Sequence, residues 1–164
     1  MKRETKTHLD ALMGKYEQKL LETTKRQEEQ VSTKEEEFVS EYLRVEREVI
    51  RSGMEEMGEA LKERGHDYRI DEARSDSGER LEDPSIKFRV FPSGIPRSMF
   101  REDNTPAVTF MGIRRDMKVR VWESTMLPNR GGHSGGGSTL DLEQVKPELV
   151  EREVLGLLEQ IFGS

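Results

Sequence analysis

The sequence contains no cysteine, which excludes disulfides, thiolate catalysis and cysteine-ligated zinc or iron–sulfur sites together. It has a single tryptophan, and aromatic residues make up only 6% of the chain, so any large core must be built mostly from aliphatic side chains. No apolar run approaches the length needed to span a bilayer, and no apolar stretch follows the charged N-terminal residues to make a secretory leader. These features point to a cytoplasmic protein without a membrane partner. The first sixty-odd residues also lack proline, which removes the usual interruption of a long helix.

What is abundant is charge. Of the 164 residues, 37% are charged and 32% hydrophobic, too polar a balance for one globule of this length. A long solvated element carrying the excess charge accounts for it. The net charge of −6 repels nucleic acid and anionic surfaces at long range. One stretch goes against the trend: residues 106–146 hold six basic and four acidic residues.

From Thr7 to Arg64, strong helix formers dominate. Leu9, Met13, Tyr16 and Leu20 follow one another at steps of four, three and four, and Phe38, Tyr42, Val45 and Val49 do the same. Each set makes one stripe on a helix and resembles a heptad seam. A less regular continuation runs through Ile50, Met54, Met57 and Leu61, whereas Glu22 to Gln30 has no hydrophobic residue. The expectation is a weakly anchored arm over 5–32 and a better anchored helix over 33–64, closed by Gly65 as C-cap. A helix of this length would extend about 87 Å at 1.5 Å per residue, far beyond a small domain. Phe38, Tyr42, Val45 and Val49 are therefore candidate interface residues for a coiled-coil homodimer or a larger protein partner, with packing on the chain's own sheet as the competing use.

After Gly65 the period changes from helical to alternating. Residues 66–73 form a short strand and 75–84 a polar turn. Ser85–Phe91 alternates Ile86, Phe88 and Val90 against Lys87 and Arg89. Ala107–Ile113 and Lys118–Ser124 read as a hairpin around Arg114 to Met117. A glycine-rich loop follows over 128–137, then a short edge strand over Thr139–Leu142. Pro147 opens a terminal helix with Val150, Val154, Leu157, Leu158 and Ile161 on its apolar side. The fold class is α+β: a long N-terminal helix (residues 1–65), then a small domain (66–164) with an antiparallel sheet of about four strands. The C-terminal helix packs on that sheet, and 38–61 can share its inward face.

Chemistry is sparse. Arg114, Arg115, Arg120, Trp122, Arg130 and His133 are candidate ligand-binding residues, on a basic strand face and in the glycine loop. Glycines let backbone N–H groups approach an anion, so a phosphate or nucleotide ligand fits. However, the loop lacks the lysine and the strand–loop–helix context of the nucleotide fingerprints, and a flexible connector is the stronger reading. The basic face with its one indole suits single-stranded nucleic acid, but a solvated sheet face with Trp122 partly under the long helix outweighs it. His8, His66 and His133 have no metal-ligand spacing, and no catalytic residue, metal site or cofactor is expected. The function expected is that of a self-associating interaction, adaptor or chaperone-like protein rather than an enzyme.

Overall fold

A computed structural model describes residues 2–74 and 83–163. The turn expected at 75–84 falls almost wholly outside the described residues. The chain has an α+β fold. Helix α1 (Arg3–Val45) passes through one π-helical stretch (Glu46–Arg51) into α2 (Ser52–Glu63). Five strands follow: β1 (Asp67–Ala73), β2 (Ser85–Phe91), β3 (Ala107–Ile113), β4 (Lys118–Ser124) and β5 (Ser134–Leu140). Helix α3 (Pro147–Phe162) closes the chain. The strands form one antiparallel sheet in sequence order, β1-β2-β3-β4-β5. Short connections between consecutive strands make this the simplest available topology.

Two units divide the chain, Met1–Glu37 and Phe38–Ser164. The division falls where the second apolar stripe begins, not at Gly65. In the second unit Phe38, Tyr42, Val45, Ile50, Met54 and Leu61 are buried with Ile86, Phe88, Val90, Val108, Phe110, Val119 and Val121. Val150, Val154, Leu157 and Ile161 of α3 complete this core. The stripe offered as an interface is thus spent inside the chain: Phe38, Tyr42 and Val45 are buried, and Val49 packs partly buried against them. This stripe and α3 together cover the inward face of the sheet.

The irregular spacing after Val49 has a structural cause. Tyr42, Glu46, Ile50, Met54 and Gly58 are all buried and recur every four residues. On a regular α-helix such a run drifts off the core face; a wide π turn, closed by i→i+5 bonds, takes up the drift. At the end of α2, Gly65 adopts φ 89°, and the amides of Gly65 and His66 donate to the carbonyls of Lys62 and Leu61. This is the expected glycine C-cap in its Schellman form.

The sheet has five strands rather than about four, and the last starts earlier than expected. The segment Ser134 to Gly137, read from composition as loop, pairs with β4. Glycine carries no alternation to betray a strand, yet its N–H and C=O groups complete the ladder offered by β4. The pairing is irregular: β5 has an extra residue between the partners of Val121 and Glu123.

Candidate functional site

The outward face of the sheet is defined by strand parity. Because Ile86, Phe88, Phe110, Val119 and Val121 face the helices, the residues between them face away. Register aligns them in rows across the strands. One row runs Asp71, Lys87, Thr109, Trp122, and the next runs Ser85, Met111, Arg120, Thr139. Trp122 is half-buried on this face, and the Arg120 guanidinium lies 5.4 Å from its ring centroid. Strand parity puts the indole on the face opposite the buried stripe of Phe38, Tyr42, Val45, Ile50, Met54 and Leu61.

Not every cation on this face is available. Arg89 is 6% exposed, and it donates through Nε to Asp71 at 2.7 Å and through Nη2 to Glu102 at 3.0 Å. The segment after β2 folds back to bring Glu102 there. Arg69 pairs with Asp71 at 3.1 Å, and Lys118 pairs with Asp141. Lys87 and Arg120 have no ion-pair partner among the described residues.

The remaining candidates go elsewhere. Arg114 and the exposed Arg115 sit in the β3–β4 turn. The Arg114 amide donates to Asp83 Oδ1 at 2.9 Å, while its Nε is buried with no hydrogen-bond partner among the described residues. Arg130 donates to the carbonyl of Ile161 at 3.1 Å, at the end of α3, where a cation suits the helix dipole. The His133 amide donates to Thr125 Oγ1 at 3.0 Å, and the Thr125 amide returns a bond to the His133 carbonyl at 2.8 Å. The His133 ring reaches the same hydroxyl through Nδ1 at 3.3 Å.

The glycine strand and α3 enclose a cleft of about 460 Å³, lined by Glu123, His133, Ser138, Glu153, Gly156 and Gln160 among others. Gln160 Nε2 donates to Glu123 Oε1 at 2.5 Å. Two carboxylates and no lysine or arginine line this cleft, so it does not suit an anion. Trp122 also lines this cleft, so the residue borders two surfaces: Arg120 and Lys87 face out from the sheet, whereas Glu153 and Gln160 reach the cleft from α3.

One polar group went unnoticed in the sequence. Glu46, in the π turn, is fully buried. Its Oε1 accepts from Arg74 Nη2, while Oε2 has no partner among the described residues. Burial raises the Glu46 carboxyl above its ordinary value, with Tyr42 and Arg74 pulling it back. Tyr42, beside it, donates to the Phe110 carbonyl at 3.2 Å, and burial pushes its hydroxyl far above its ordinary pKa. A π turn is the only sequence-independent hint of such a group, and nothing in the spacing signals it.

No group of three histidine, aspartate or glutamate side chains gathers to hold a metal among the described residues. None of their helices is long and apolar enough to cross a membrane. No family model, curated protein or solved structure matches this chain.

Proposed function

We propose that this is a self-associating interaction protein, in which the N-terminal helix pairs with the same helix of a second copy. The observation that supports this is the state of the first unit. Leu9, Met13, Tyr16 and Leu20 make a stripe on α1, and each is 43–62% exposed. Leu12 and Leu21 flank it, also exposed. A helix this polar elsewhere gains little from folding alone, since most helical stability comes from packing an apolar face.

With Leu9 and Tyr16 at d and Met13 and Leu20 at a, the g position of the first heptad carries Leu12, which widens the apolar seam, while Asp10, Glu17 and Lys19 flank it. A second copy of the same helix offers a seam of matching width and spacing.

Sedimentation of the full chain tests the reading. The expected result is a dimer at tens of micromolar that becomes a monomer when Met13→Glu and Leu20→Glu are combined, with the melting of the second unit unchanged. A parent that sediments as a monomer at that concentration overturns it. So does a dimer that survives the double substitution.

A further inference from the structure

We propose that the outward face of the sheet binds single-stranded nucleic acid, with Trp122 as the stacking surface and Lys87 and Arg120 as phosphate contacts. The inference is independent of self-association and rests on the second unit alone.

Three observations converge on these residues. First, the cations of this face divide into neutralised and free. Arg69, Arg89 and Lys118 each have a carboxylate partner. Lys87 and Arg120 have none among the described residues, and they flank the single indole. Second, the geometry suits a stacked base. Arg120 lies two residues from Trp122 along β4, about 7 Å, and Lys87 lies two strands across, about 10 Å, with Thr109 between them. Long side chains on either side of the ring can reach the backbone of a strand whose base lies on the indole. Third, the free cations lie in or beside the one net-positive stretch of a protein of charge −6: Arg120 stands within residues 106–146, and exposed Arg115 lies at the β3–β4 turn next to the face.

The surface chooses among anionic partners. An acidic peptide would gain most by adding main-chain hydrogen bonds, but Lys87, Thr109 and Trp122 lie on β2, β3 and β4, whose edges are already paired. A duplex hides the faces of its bases in the stack, and a broad sheet face cannot enter its grooves as a helix does. An unpaired base offers a π face directly, and stacking tolerates any sequence.

The test uses the full chain and a fluorescent oligothymidine at low salt. Trp122 is the only tryptophan, so its emission reports the contact without labelling. The expected result is saturable quenching of Trp122 together with a rise in oligonucleotide anisotropy. Two phosphate contacts on a single strand predict that log K falls with log salt at a slope of about −1.4. Lys87→Ala and Arg120→Ala should each weaken binding roughly tenfold and flatten the slope, with melting temperature unchanged. Trp122→Phe should weaken binding while leaving the slope alone, which separates stacking from charge. The proposal is overturned if neither signal changes, if both alanine variants bind as the parent does, or if a duplex of equal length or polyglutamate binds as tightly.

Discussion

The buried carboxylate of Glu46 is held by the guanidinium of Arg74, which arrives from the residue just after β1. Arg74 also donates to the carbonyls of Ala73 at 3.0 Å and Ser85 at 3.2 Å, so one side chain ties the π turn to the first two strands. Removing Arg74 strands a charge in the core. Arg74→Ala should destabilise the second unit by ~3 kcal/mol, the low end for a broken buried pair because Glu46 can take up a proton. Chemical denaturation at neutral pH measures this.

The same carboxyl gives the fold a pH signature. Its folded pKa lies above the unfolded one because burial opposes ionisation. The folded state therefore binds this proton more tightly, and the stability it confers is complete below the unfolded value and lost as pH rises through the folded value. Glu46→Gln cannot titrate. Thermal melts from pH 4 to pH 8 should show the glutamine variant gaining on the parent as pH rises; a constant difference would contradict the shift.

Tyr42 and Gly112 fit each other face to surface. A methyl group on Gly112 would sit 2.7 Å from the Tyr42 ring, too close for any real Cβ contact. Gly112→Ala should cost about 1–3 kcal/mol through overpacking. Tyr42→Phe keeps the ring, loses the hydrogen bond to Phe110 and removes the hydroxyl that favours the ionised Glu46, for about 1 kcal/mol. Because the two sites touch, the double variant should depart from the sum of the single effects in a denaturation cycle.

Met117 closes the β3–β4 turn at φ 52°, a conformation that costs a side chain roughly 1 kcal/mol, and it is exposed. Met117→Gly should raise the melting temperature by about 1–3 °C, because the relief exceeds the glycine's added chain entropy. Differential scanning calorimetry would detect the sign.

Arg130 acts on α3 from a distance in sequence. Its bond to the Ile161 carbonyl satisfies a helix end that otherwise faces solvent. Arg130→Ala should lower stability by roughly 1 kcal/mol, and Arg130→Lys should restore part of the loss by returning the charge. The pair of variants, read by thermal melting, separates charge from hydrogen bonding.

The strands that alternate were legible in the sequence, and those that do not were missed. Ile86, Phe88 and Val90 announced both β2 and its buried face, and Val119 and Val121 did the same for β4. The end of β5 was expected at Thr139 and Leu140, but its start escaped because Gly135, Gly136 and Gly137 have no side chains to alternate; its partner's unpaired edge defines it. The helical stripe at Phe38–Val49 was visible, but not what it packs against, since periodicity describes a face and not its occupant. Arg89 looked like a surface residue because its carboxylate partners lie 18 and 13 positions away. Likewise, strand parity placed Arg120 and Trp122 together, while one of the two carboxylates of the neighbouring cleft, Glu153, came from a distant helix to join Glu123.

The π turn at Glu46–Arg51 has a consequence for how this chain tolerates insertions and deletions. Upstream and downstream of it, the core-facing residues are in phase with different helical clocks, and the wide turn reconciles them. Excising one exposed residue there, such as Arg47, would leave Tyr42 and Met54 about three regular α turns apart, so the wide turn would close to uniform winding with Met54, Gly58 and Leu61 still facing the sheet. Excising one within α2, such as Glu56, has no wide turn to absorb it and would rotate Leu61 by about 100° off the core face. Tolerance to a lost residue is thus concentrated in the six residues of the π turn.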